Sequence, residues 1–266
     1  MSMRFFIILV FLFSPFIAYQ IFSSDRSMIM NVVADTYPDY FEDTDAFVFA
    51  KAVARGDVSA ALAAALRLPE GVNTVGREGV TALWLAADRY DYRMVKALLN
   101  AGADPDGGKG LPPLAKAAAL EDIQMVKIFL GHGANPNKKK NTKPIIYTAS
   151  MTGNIDIVNL LLLNGADIEA EDGVGTTPIL SAAMLDRWQL VLFLMDRGAS
   201  VWPASGGITV GLLAANSRIL PSHPDGAVLP QVIERLKAKG FPWPPPKASE
   251  VRAMIERGQW PPPGAR

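Results

Sequence analysis

The side chains that could do chemistry are few, and three of them gather in LPSHPDGA, where Ser222, His223 and Asp225 fall within four residues. A serine, an imidazole base and a carboxylate are the parts of a hydrolase relay, in which the base takes the hydroxyl proton and the carboxylate orients the base. Residues this close in sequence do not easily face one another, and nothing in the stretch holds them rigidly. A hydrolase site within 217–229 is therefore the remote reading. The other histidine, His132, stands in a turn before GAN and reads as solvent-facing. Two histidines and no cysteine leave too few ligands for structural zinc, and they exclude disulfides and thiolate chemistry. GADPDGGKG has the flavour of a phosphate loop, but its glycines miss the required spacing, and Lys109 is followed by Gly110 instead of a magnesium-binding hydroxyl. Asp104 and Asp167 could be taken for paired carboxylates, yet both sit in Gly-Ala-Asp, where an aspartate starts a turn by bonding its own backbone. No catalytic residue, metal or cofactor is expected.

Charge excludes little more. Lys plus Arg and Asp plus Glu are both 26 in 266 residues, so no global bias draws the chain to nucleic acid. The exception is local: NKKKNTK, from Asn137 to Lys143, puts four lysines in one short segment. Neither arginines nor aromatics interleave with them, so nucleic acid is not the expected partner. An acidic patch on a protein, or steering of its approach, fits better than a nucleic acid; a merely solvated turn is the plain alternative.

The elements that carry these residues repeat. Gly102, Gly133, Gly165 and Gly198 are 31, 32 and 33 residues apart, and they open GADPD, GANPN, GADIE and GASVW. Nineteen residues before each glycine an apolar residue opens a small-residue helix: Leu83, Leu114, Ile146 and Ile179. A second apolar stripe follows in each copy, as MVKALL, MVKIFL, IVNLLL and LVLFLM. Alanines in the first helix permit close approach of neighbours, and the branched stripe of the second fills the space between repeats. Glycine ends the second helix, because a residue at positive φ costs least without a Cβ. One such unit cannot bury its apolar faces, but a stack can.

The opening TALWLAA, the stripe IVNLLL and the close GAD resemble the ankyrin repeat. The resemblance covers 45–243 and implies an all-α fold there: a solenoid of about six helix-turn-helix units with hairpin loops. Outside it, composition gives an N-terminal hydrophobic helix in a signal anchor or signal peptide over 1–25, an acidic linker over 26–44, and a capping helix and Pro-rich tail over 244–266. The first unit, with its Arg55-Gly56-Asp57 turn, looks like an N-terminal cap. The family's helix-starting histidine is replaced by Trp84, Ala115, Tyr147, Leu180 and Leu212, so its hydrogen bonds must be absent or rebuilt. In the sixth unit about ten extra residues, within SRILPSHPDGAVLP, separate the helices. The tail places a short helix, about Ala248 to Arg257, between two Trp-Pro-Pro-Pro segments. It reads as the cover of the last repeat, with a Pro-rich partner motif as the alternative.

The N-terminus carries Arg4 and then no charge from Phe5 to Phe22. As a helix that run would be ~27 Å long, close to a bilayer's apolar thickness. It reads as an uncleaved anchor, with a cleaved signal peptide or a buried helix as alternatives. Arg4 on one side and acidic residues such as Asp35, Asp39 and Glu42 on the other suggest export of the bulk of the chain. The expected place is the inner membrane, with the repeats in a bacterial periplasm, or the soluble periplasm after cleavage.

In the family the partner surface is usually the concave side, made of hairpin tips and the exposed ends of the first helices. Carried over by position, it comprises Arg77, Glu78, Val80, Asp88 and Arg89, then Lys109, Leu111, Ala119 and Leu120. It continues with Lys140, Asn141, Lys143, Met151 and Thr152, then Gly173, Val174, Thr176, Met184 and Leu185, and ends at Trp202. Leu120, Met151, Met184 and Leu185 form an apolar row there, where a bare scaffold favours polar residues. The expected activity is binding of a protein, an envelope protein or a toxin, with no small-molecule substrate. Scaffold of an envelope protein and immunity or inhibitor protein stay open side by side.

Overall fold

The computed structural model describes residues 40, 41, 44–263 and 265. The hydrophobic leader and nearly all of the acidic linker lie outside these residues. Among the described residues no helix is long and apolar enough to cross a membrane.

The described chain is helical and divides into two compact units, up to Ala103 and from Asp104 onward. The first unit holds two helical pairs: α1 (Thr44–Ala54) with α2 (Val58–Ala65), and α3 (Ala82–Asp88) with α4 (Tyr92–Asn100). Here α1 packs on α3 and α2 on α4, so each helix meets its counterpart in the neighbouring pair. The core mixes sizes: α1 and α3 bury Phe49, Val53, Leu83 and Leu85 beside Ala50, Ala82 and Ala86, while α2 buries only alanines and α4 buries Met94, Val95 and Leu98.

The second unit continues with α5 (Pro113–Ala119) and α6 (Ile123–Gly131), α7 (Ile145–Thr152) and α8 (Ile155–Leu163), and α9 (Pro178–Met184) and α10 (Trp188–Asp196). The last pair is α11 (Val210–Asn216) and α12 (Pro224–Ala238), followed by α13 (Ala248–Glu256). The first helices form one row, α5 on α7 on α9 on α11. Two-residue antiparallel strands stiffen two of the loops: β1 (Lys139–Lys140) with β2 (Lys143–Pro144), and β3 (Ala204–Ser205) with β4 (Ile208–Thr209).

Capping explains why the second helices start where they do. Asp57, Asp91, Asp122 and Asn154 each accept the backbone N–H three residues on. The first helices are capped less regularly. Thr81 and Thr209 accept from Trp84 and Leu212, whereas the Thr177 hydroxyl is buried without a partner. The missing histidine network is thus replaced by threonine at two starts and by proline at others.

The turns between repeats are tied by side chains reaching one repeat onward. Asp104, Asn135 and Asp167 each accept the N–H two residues ahead, as turn residues do. Asp106 then accepts from Asn135 N–H at 2.7 Å, Asn137 from Asp167 N–H at 2.8 Å, and Glu169 from Ser200 N–H at 2.6 Å.

The sixth pair departs from the expected loop. α12 begins at Pro224, so most of the extra residues extend a 15-residue helix that contains Pro230. The carbonyl four residues before a helical proline receives no backbone bond. That residue is buried Gly226, whose lack of a Cβ lets the Leu220 carbonyl close against the helix.

Candidate partner-binding surface

The expected surface residues stand on both units. In the first, Arg77 and Glu78 are exposed at a hairpin tip, Asp88 and Arg89 are half-buried at the end of α3, and Val80 is buried. Glu78 holds φ 57, a left-handed tip conformation. In the second unit Lys109, Lys140 and Lys143 are exposed, and Leu111 and Leu120 are half-buried.

The apolar row is open to solvent. Met151 is 39% exposed, Met184 40%, Leu185 44% and Val174, at a hairpin tip, 72%. Met151 and Met184 close α7 and α9, which pack side by side, so the two thioethers belong to one surface. Leu120 caps the C-terminus of α5, next in the same row.

Val80 and two further expected residues fall inside the fold instead. Thr176 is buried behind its hairpin. Trp202 is a correction with a larger cause: it is 7% exposed, stacked on Phe241 at 5.1 Å and edge-on to Trp260 at 5.6 Å. Its carbonyl accepts the Trp260 indole N–H at 2.9 Å, and Arg252 of α13 donates to the Gly206 carbonyl. The C-terminal segment therefore folds over the β3–β4 hairpin and takes Trp202 into the core, so that side chain is not available to a partner.

The lysine segment is partly occupied from within. Lys138 donates to the Gly108 carbonyl at 2.8 Å and Lys139 to the Glu171 carbonyl at 3.4 Å. Lys143 lies 5.5 Å over the Tyr147 ring. Lys140, paired with Lys143 in the β1–β2 register, points no charge at a carboxylate among the described residues. Burial and the nearby Asp172 carboxylate push the Tyr147 hydroxyl above its usual range. Burial also pushes Asp172 up, but N–H donors of Thr176 and Val174, helped by Lys143, outweigh it and hold the carboxyl below the usual range.

His223 and Asp225 serve helix starts, not a relay. Asp225 accepts the Gln189 N–H at 2.8 Å, and the His223 ring accepts the Asp225 N–H at 3.2 Å. Ser222 makes no hydrogen bond to His223 among the described residues. Asp225 thus caps α10, whose own starting residue, Arg187, supplies no side-chain cap. Nothing in the sequence around Arg187 signalled this, because the substitute lies 36 residues beyond the Gln189 it caps. A second tie missed by sequence joins Asp186 to the Trp188 indole and the Ser217 hydroxyl, at 2.9 and 2.6 Å. A shallow cleft of about 370 Å³ nearby is lined by Ile219, Pro221, Leu229, Pro230 and Ile233, a mostly apolar wall with the single carboxylate of Glu234. His132 is exposed, with its ring N–H on the Ile128 carbonyl at 2.8 Å.

A family model described as ankyrin repeats (3 copies) matches residues 47–140 and 114–205, together more than half of the chain. No curated protein matches.

Proposed function

Because the chain belongs to the ankyrin-repeat family, whose repeats mark a protein–protein interaction module, we propose that it holds a protein partner across the ends of its inner helices. The contact is made chiefly by Met151, Met184 and Leu185, with Leu120, Val174 and the lysines of the neighbouring tip around them. The observation that carries this reading is the open apolar row on adjacent first helices. A continuous exposed apolar strip, unlike a single exposed leucine, marks an interaction site. The partner is an envelope protein, held or protected in the periplasm, with residues 5–22 tethering the repeats to the inner membrane. That location follows from the leader's composition alone.

The test is affinity capture of the tagged full-length chain from its own cells in mild detergent, alongside the double variant Met184→Asp, Leu185→Lys. The reading predicts an envelope protein that comes down with the parent and is lost with the variant, while the variant's thermal unfolding is unchanged. A partner that remains with the variant at equal yield would place the interface elsewhere. An enzyme or toxin whose activity falls on addition of the repeats would replace the scaffold role with that of an immunity protein.

A further inference from the structure

Resting on the protein-binding reading above, we infer that the element received by the row is an acidic amphipathic segment of the partner, an apolar stripe flanked by carboxylates. Three observations in the second unit converge on that chemistry.

The lysine tip and the row are one surface. Lys143 covers the Tyr147 ring, and Tyr147 stands four residues before Met151 on α7, one turn along the same face. A segment lying on Met151 therefore passes the ammonium groups of Lys143 and Lys140.

A second cation borders the row from the other side. Arg187 follows Leu185 by two residues, and its Cδ lies 2.8 Å from where a Cβ on Gly153 would stand, just beyond Met151. Its Nε is buried, but Arg187 as a whole is half-buried and forms no ion pair among the described residues. The two terminal nitrogens of the guanidinium are left to meet a carboxylate end-on, with parallel donors.

The acids that could neutralise these cations are engaged. Asp172 turns inward to the Thr176 and Val174 N–H groups, Glu169 accepts from Ser200, and Asp186 is held by Trp188 and Ser217. Glu171 and Glu121 are the exposed exceptions, and Glu121, beside Leu120, accepts from Asn154 at 3.4 Å. What faces outward along α7 and α9 is thus apolar in the middle, with Lys140 and Lys143 at one margin and Arg187 at the other. Three inner helices at about 8–10 Å spacing make the row ~20 Å long, which a helix of ~13 residues would span.

The test is selection from a display library of random peptides of about 16 residues, long enough for that span, against the full-length chain in mild detergent. The Met184→Asp, Leu185→Lys variant serves as counter-target. The inference predicts enriched peptides that alternate apolar and acidic residues and weaken as salt rises. It also predicts roughly tenfold weaker binding to Lys140→Glu, Lys143→Glu, two exposed positions whose change leaves the fold intact. Arg187→Gln should weaken the same peptides, and circular dichroism separates that from unfolding. Enriched peptides without an acidic excess, or acidic ones indifferent to both the lysine changes and salt, would overturn the inference and leave the protein-binding row standing. Adsorption of phosphatidylglycerol vesicles through the same lysines, with no peptide enriched, would overturn it in favour of a lipid surface. Equal enrichment on the parent and the counter-target would instead sink the row itself.

Discussion

At the scale of single residues, one backbone position recurs with different occupants. Between the two helices of a pair the chain passes through the left-handed region at Gly56, Tyr90, Glu121, Gly153 and Asp186, with φ between 54 and 82. Glycine takes that conformation freely, whereas a residue with a Cβ bears a cost of roughly 1 kcal/mol. Glu121→Gly should therefore raise the unfolding free energy by up to about 1 kcal/mol in a urea titration, its 3.4 Å bond from Asn154 being a minor loss. A lower midpoint would contradict the assignment. Glu169 gives a pH test. Burial raises its pKa against the opposing Ser200 N–H, with Asp167 and Glu171 adding to the rise. A carboxyl whose folded pKa exceeds its unfolded one contributes stability below the unfolded pKa and loses it as pH rises through the folded one. Glu169→Gln keeps an acceptor for Ser200, so stability should no longer fall as pH rises just above the ordinary glutamate range. A variant that retains the full parental fall would show that other groups cause it.

At the scale of elements, the ends of the second helices were legible, because Gly102, Gly133, Gly165 and Gly198 recur at them. Their starts at Asp57, Asp91, Asp122 and Asn154 came from the structure, which shows each side chain accepting the N–H three residues on. What else stayed hidden depended on residues far apart in sequence. The Pro-rich SRILPSHPDGAVLP reads as loop, since Pro221, Pro224 and Pro230 argue against helix; yet Pro224 starts α12 and Pro230 is borne inside it beyond Gly226. The capping of α10 by Asp225 could not be read from Arg187. Asp225→Ala should cost about 1 kcal/mol, as loss of a helix cap does, and expose the Gln189 amide to faster hydrogen exchange. Unchanged stability and exchange would mean that the 2.8 Å contact from Gln189 contributes nothing.

At the scale of the whole molecule, the repeat was plain in the sequence and the family match agrees with it. The apolar row was also legible, because the repeat register fixes which residues end the inner helices. Trp202 was not. Whether a hairpin tryptophan faces a partner or the core depends on where a segment 58 residues later returns, and no local signal states that. The proposed partner contact lies at the ends of α7 and α9. The most direct measurement places a photo-crosslinking amino acid at Met184 in the full-length chain within its own cells, with Leu163, 69% exposed on α8, as control. The account predicts one discrete protein adduct from Met184 and none from Leu163. The same adduct from Leu163 alone, with Met184 silent, would contradict it.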